Sequence, residues 1–283
     1  MTDHALVADE ADLPALPATS FYERVGARAF LSTAATESPW DAQAQHGGPP
    51  AALLTRAIED SVAGEGLAIG KIDLDFLGPI PQGTCEIEVT TLRPGRRVRL
   101  VQAVLSCEGR PAVGARAWLV SYDAGRAPRT GAEVVPPALP GPQPQPPMPG
   151  AAPEWGYGRA IEWRYVSGGL SGQAPVAADG VTRAWMRVRV PLVAGEPTSD
   201  LQRLMVIADS ANGVSARLPF SDWLFIPPGL GVTAGRPPSS EWMLLEASSW
   251  SETRGTGVAH ARVLDSEGLC AFVAQPLLVA PRG

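Results

Sequence analysis

The chain is nearly without lysine, poor in cysteine and histidine, and free of long apolar runs, and each shortage closes off a class of protein. Lys71 is the one lysine among 283 residues, and the formal charge is -6. Nucleic-acid binding needs clustered positive charge on at least one face, so that partner is not expected. The three cysteines, Cys85, Cys107 and Cys270, are widely spaced and odd in number. This fits neither a disulfide framework nor the paired spacing of a zinc site; they read as plain strand residues, and no metal or cofactor is implied. No stretch approaches the roughly 20 apolar residues of a membrane span. Met1 to Pro14 is acidic where a secretory leader is basic and then apolar, so the expected location is the cytoplasm. With three histidines and no Gly-x-Ser-x-Gly elbow, nucleophilic chemistry of the serine type is not expected either.

What is present is enough apolar residue, 45%, for two cores of ordinary domain size. Prolines at 136, 137, 140, 142, 144, 146, 147 and 149 forbid helix and sheet interior there and favour an extended connection. The expected division is a unit over 15–130, a proline-rich linker over 131–153 and a second unit over 154–283.

The two halves repeat one another. In the first, Gly78-Pro79 precedes strand-like runs at Cys85–Leu92, Val98–Ser106 and Ala112–Val120, with turns at Arg93-Pro94-Gly95-Arg96 and Glu108-Gly109. In the second, Arg236-Pro237 precedes Trp242–Ser249, Val258–Leu264 and Ala271–Val279, with turns at Ser251–Gly255 and Glu267-Gly268. One nearly constant offset superimposes the series, and runs of this length with glycine at the corners suit an antiparallel meander. Upstream of each meander lies a helix signal. His46-Gly47-Gly48 opens one, with Pro49 and Pro50 where a missing N–H costs nothing, followed by Ala51–Val62. Thr198-Ser199-Asp200 opens the other, which continues from Leu201 to about Asn212 with an apolar stripe of Leu201, Leu204, Met205 and Ala208. Phe21–Leu31, and Ala160–Val166 with Thr182–Val190, are further strands. Strand, helix and wrapping meander make the hotdog arrangement; two in tandem predict an α+β double hotdog, each unit a long helix wrapped by an antiparallel sheet.

The segments His46-Gly47-Gly48 with Ala51-Ala52-Leu53-Leu54, Leu204 to Asn212, Arg236-Pro237-Pro238 with Glu241 to Leu245, and Ala274 to Val279 resemble the acyl-CoA thioesterase II family and the wider actinobacterial thioesterase-like superfamily. The likeness runs from about Phe21 to Arg282. It implies hydrolysis of an acyl-CoA to free acid and CoA, without metal or covalent intermediate, by a water held between an Asp, a hydroxyl residue and a Gln. Asp209 and Gln275 match the first and third. The residues single them out independently: Asp209 falls on or beside the buried stripe, and Gln275 shares strand parity with Ala271, Val273, Leu277 and Val279. A solvated Asp209 and a Gln275 that merely satisfies backbone groups are the structural alternatives. The hydroxyl is missing: the corresponding segment reads Ile226-Pro227-Pro228-Gly229-Leu230, with Ser221 before it and Thr233 after.

Gly47 and Gly48 leave N–H groups at a helix start open to a ligand, a candidate oxyanion site, whereas His46 itself reads as a surface residue. Arg93, Arg96, Arg97 and Arg99 form a charged hairpin, solvated or facing CoA phosphates; His260 and Arg262 alternate on a strand without further mark. A non-catalytic acyl-CoA or lipid-binding protein is the alternative to hydrolysis. Self-association would use a surface other than the one between the fused units.

Overall fold

The computed structural model describes residues 13–123, 127–152, 154–170 and 177–282. A short hairpin of β1 (Tyr22–Arg24) and β2 (Ala29–Ser32) leads to α1 (Gly48–Ser61), followed by β3 (Leu67–Phe76), β4 (Thr84–Arg93), β5 (Val98–Cys107) and β6 (Arg110–Ser121). The second half holds α2 (Gly156–Ala160), β7 (Ile161–Ser167), β8 (Thr182–Val188), α3 (Asp200–Ala208) and α4 (Ala211–Val214). It ends with β9 (Trp223–Ile226), β10 (Gly229–Ala234), β11 (Trp242–Ser251), β12 (Thr256–Asp265) and β13 (Gly268–Pro281).

The six meander runs read from the sequence fall within β4 to β6 and β11 to β13. The expected strand over Phe21–Leu31 is broken into β1 and β2, because the N–H groups of Val25 and Gly26 both turn back to the Ala29 carbonyl. Three strands were not anticipated, β3, β9 and β10, and two of them, β3 and β10, join the halves. They pair antiparallel, Gly229 opposite Asp75 and Gly231 opposite Asp73, so that one sheet runs β1-β2-β4-β5-β6-β3-β10-β13-β12-β11-β8-β7, with β9 on the far end of β13. In β3 the buried Ile72 and Leu74 alternate with exposed Lys71, Asp73 and Asp75, the mark of a strand with one face on a core.

The helices α1 and α3 pack against one another. Proline at the start of α1 fits its first turn, and the buried Leu53, Leu54 and Ile58 lie on a helix that packs against β3 to β6. α3 opens with a capping box, Ser199 accepting from the Gln202 N–H and the Gln202 side chain accepting from the Ser199 N–H. It stops at Ala208 rather than near Asn212; Asp209 is its C-cap, and Ala211–Val214 forms a separate short turn. The helices run antiparallel, the start of α1 against the end of α3. A Cβ on Gly48 would lie 2.1 Å from the Val206 carbonyl oxygen, and one on Gly47 2.7 Å from Asp209 Oδ2. Helix packing thus demands glycine at 48, where the obstacle is backbone, whereas at Gly47 the obstacles are the side chains of Asp209 and Phe76.

The cysteine expectation is corrected. Cys85 and Cys107 face one another in the register of β4 and β5 and form a disulfide, leaving Cys270 as a buried free thiol. Directly opposed positions on neighbouring strands bring Cβ atoms within disulfide reach whatever their separation in sequence.

The proline-rich segment is laid along the second half. Gln143 exchanges hydrogen bonds with the backbone of Tyr165, donating at 2.9 Å and accepting at 2.7 Å, and Gln145 does the same with Trp163 at 2.8 and 3.0 Å. Prolines have no N–H to offer β7, and the side-chain amides supply it instead.

Candidate active site

Where α1 begins and α3 ends, a cavity of about 490 Å³ opens. Its walls are mostly apolar and include six aromatic side chains, Trp40 and Phe76 from the first half and Trp155, Trp163, Phe220 and Phe225 from the second. Its polar lining comprises His46, Gly47, Asp209, Ser210 and Asn212 where the helices meet, with Ser38, Asp41 and Gln45 also on the wall. A neighbouring cavity of about 540 Å³ shares Met148, Trp155, Trp163 and Leu170 with it.

Asp209 is 6% exposed and Gln275 0%, and the structure brings them into direct contact. Gln275 Nε2 donates to Asp209 Oδ1 at 2.9 Å and more weakly to the Asp209 carbonyl at 3.4 Å, while its Oε1 accepts from the Asn212 N–H at 3.1 Å. Both ends of the amide are thereby occupied. Gln275 is not part of the cavity wall; it lies behind the carboxylate. Burial pushes the Asp209 pKa up to about 7, against the opposing pull of the Gly47 N–H and the Gln275 amide. A carboxyl group poised near neutrality is what a general base requires.

The histidine differs from the sequence reading, and both glycines lie where the helices meet. The N–H of Gly47 is turned to the Asp209 carboxylate, and that of Gly48 donates to His46 Nδ1 at 3.1 Å. Pro49 and Pro50 have no N–H, and Ala51 already donates to the Gly47 carbonyl. His46 is not a surface residue. Its ring stacks on Tyr157 with centroids 3.7 Å apart and planes 6° from parallel, and burial lowers its pKa to about 3. Nδ1 lies 3.4 Å from Asp209 Oδ2, but this is no ion pair: a nitrogen accepting from a backbone N–H carries no proton of its own.

Tyr157 was not singled out from the sequence. Its hydroxyl contacts the Val206 carbonyl at 2.9 Å and Ser210 Oγ at 2.7 Å. A carbonyl only accepts, so the one phenolic proton goes to Val206 and Ser210 donates to Tyr157. That leaves the Ser210 lone pairs free to accept. The hydroxyls weighed as substitutes, Ser221 and Thr233, are exposed and lie outside the cavity wall, which at this point is formed by Ile226, Pro227 and Pro228.

The other candidates lie away from the cavity. On the β4–β5 hairpin Arg99 pairs with Glu65 and Arg93 with the Val98 carbonyl, and Arg96 and Arg97 are not among the lining residues. His260 packs edge-on to Trp250, and Arg262 pairs with Glu246. At the aromatic end, the Arg282 guanidinium sits 4.4 Å from the ring centre of Phe220 and 5.1 Å from that of Trp40.

Two family profiles match the sequence, the acyl-CoA thioesterase N-terminal domain over residues 36–120 and the acyl-CoA thioesterase C-terminal domain over 136–279. No curated protein matches it significantly. Among solved structures, a conserved protein of unknown function with a hot dog fold from Alicyclobacillus acidocaldarius is similar at 19% identity and TM-score 0.69, over 94% of this chain and 97% of that one. The tesB protein of Mycobacterium avium subsp. paratuberculosis is similar at 18% and 0.65, over 93% and 97%. The acyl-CoA thioesterase II TesB2 of Mycobacterium marinum is similar at 16% and 0.64, over 93% and 95%. At these identities the structural likeness carries the fold, which is hotdog.

Proposed function

The chain belongs to the acyl-CoA thioesterase family, and from that premise we propose that it hydrolyses an acyl-CoA thioester with Asp209 as the base. The observation that carries the reading is a buried carboxyl group, raised to about 7, on the wall of an aromatic cavity. The units over 15–130 and 154–283, joined by 131–153, are read as two hotdogs, each wrapping one helix and sharing this cleft.

The acyl group lies among the aromatic rings, where about 490 Å³ of mostly apolar space removes it from water. Water is held by Asp209 and by the free lone pairs of Ser210, which takes the place of the hydroxyl missing at Pro227 and Pro228. Asp209 removes one proton as the water oxygen bonds to the carbonyl carbon; the C–S bond then breaks and that proton passes to sulfur. Gln275, sealed behind the carboxylate, acts on the water through Asp209, which it holds in one orientation. Gly47 steadies the same carboxylate from the other side.

The test is thiol release from a panel of acyl-CoAs by the wild type and by Asp209→Asn. Turnover lost in the variant supports the proposal. Pro227 and Pro228 at the hydroxyl position favour the second reading, a protein that binds acyl-CoA without cutting it. Tight binding of every chain length, with no thiol released, would establish that reading instead.

A further inference from the structure

Hydrolysis requires a donor for the negative charge that builds on the carbonyl oxygen, and two of the three N–H groups at the start of α1 are hydrogen-bonded within the protein. Gly47 is turned to Asp209, Gly48 is bound to His46, and Ala51 to the Gly47 carbonyl. We propose that His46, a neutral imidazole with its proton on Nε2, receives the thioester carbonyl oxygen and stabilises the oxyanion. The inference rests on the hydrolase reading above and adds a catalytic residue to it.

Three observations support it. First, the tautomer is fixed: the Gly48 N–H can only donate, so Nδ1 is the unprotonated nitrogen and the single ring proton is on Nε2. Second, Nε2 makes no hydrogen bond to any described residue, yet it is not among the polar atoms sealed from solvent without a partner. Since His46 lines the cavity, the free N–H is left to serve whatever occupies it. Third, the ring cannot swing. It is stacked flat on Tyr157, whose hydroxyl is anchored to Val206 and Ser210, and it is pinned at Nδ1. A donor fixed in advance needs no reorganisation when charge appears, which is where such groups gain their effect.

The surroundings also keep the imidazole neutral, since burial holds its pKa near 3. A neutral imidazole donates a hydrogen bond to a carbonyl without surrendering its proton. As the water oxygen bonds to carbon, the carbonyl π pair moves onto oxygen and is met by Nε2–H. When the C–S bond breaks, that pair returns to re-form the carbonyl. No proton leaves His46; the one taken by Asp209 goes to the sulfur. The 3.4 Å between Nδ1 and Asp209 Oδ2 shows that the imidazole ring adjoins the base, one from each half of the chain.

The asymmetry of the ring provides the test. Asparagine at this position reproduces the Nδ1 acceptor for Gly48 but offers nothing at Nε2, whereas glutamine reaches the Nε2 position with a donor. His46→Asn is expected to lower kcat by about 100-fold or more, with KM changed less than about threefold, and His46→Gln to recover part of the loss. Wild-type kcat in His46→Asn, with His46→Gln impaired, would assign the residue to holding Gly48 and overturn the proposal.

Two readouts do not depend on turnover. Nitrogen-15 spectra of the imidazole should show Nε2 protonated and Nδ1 bare from pH 5 to 8; the opposite tautomer refutes the idea. A non-cleavable ketone analogue of acyl-CoA, carbon-13 labelled at the carbonyl, should show a downfield carbonyl resonance on binding that is lost in His46→Asn. If the wild type releases no thiol but the downfield resonance is present, the hydrolase reading fails and the donor stands. If thiol is released and the resonance is unchanged in His46→Asn, the donor fails alone.

Discussion

The antiparallel helices meet at two ends, and each end buries a carboxylate of one helix against the start of the other. At one end Asp209 of the α3 cap lies against Gly47 and His46. At the other, Glu59 of α1 accepts from Ser199 Oγ at 3.0 Å and from Gln202 Nε2 at 2.6 Å. Burial raises the pKa of both carboxyls. What separates them is the company they keep. Glu59 also borders a cavity, of about 350 Å³, but it is satisfied by the cap of α3 and extends that cap, whereas Asp209 faces a neutral ring, a locked amide and a cavity that six aromatic side chains help to wall. Desolvation alone therefore does not mark a reactive carboxylate; unsaturated hydrogen-bonding capacity beside a cavity does.

The largest test of this contrast is activity. Asp209→Asn should lower kcat/KM by about 1,000-fold, the usual scale of general base catalysis, while Glu59→Gln should stay within about twofold, both read by thiol release. A comparable loss in Glu59→Gln would erase the distinction between the two ends.

The second test is the glycine at one end against glycines at the other. Gly48→Ala drives a Cβ into a backbone carbonyl and should cost more than about 3 kcal/mol in urea unfolding. Gly64→Ala, beyond the end of α1, meets open space at a φ of +78° and should cost about 1 kcal/mol.

The third concerns pH. The folded state keeps the Asp209 proton up to pH about 7, whereas an unfolded aspartate loses it near pH 4. The folded state thus binds more protons between these values, and its stability falls as pH rises through that window. Asp209→Asn should remove this slope and be more stable than wild type at pH 8 by a few kcal/mol, each tenfold difference in proton affinity between the two states counting for about 1.4 kcal/mol. Wild-type kcat/KM should climb to a plateau above pH about 7. Gln275→Ala removes a donor that favours the anion, so its midpoint should move to higher pH. An unchanged profile would separate Gln275 from the carboxylate.

The smallest effect belongs to the cap. Ser199→Ala should cost about 1 kcal/mol of stability by thermal melting, leaving turnover unchanged.

Much of the meander was legible because glycine and proline turns punctuate it and the two halves repeat. β3 carries a readable alternation in Ile72 and Leu74, but it lies between a helix end and Gly78-Pro79 and has no turn pair to announce it. β10 does alternate Leu230 and Val232 with glycine, but glycine weakens a strand signal and two prolines directly precede it; its identity as a strand comes from its neighbours β3 and β13. Asp209 and Gln275 could be picked out by helical stripe and strand parity, both local properties. His46 could not: its burial and its tautomer depend on Tyr157, far along the chain, and on the α3 terminus. Paired Cys85 and Cys107 were hidden for a related reason, since opposition across strands is a matter of register and not of spacing.

The stitching of Gln143 and Gln145 to β7, the outermost strand of its half, has its own effect on how the molecule meets copies of itself. An outer strand with open amides invites a stranger's backbone to dock and extend the ladder. Here those amides are already taken by carboxamide groups, and behind them runs a stretch whose prolines have no N–H with which to begin a new row. The margin most exposed to runaway polymerisation has been closed by side chains, without adding a strand that would itself need protecting.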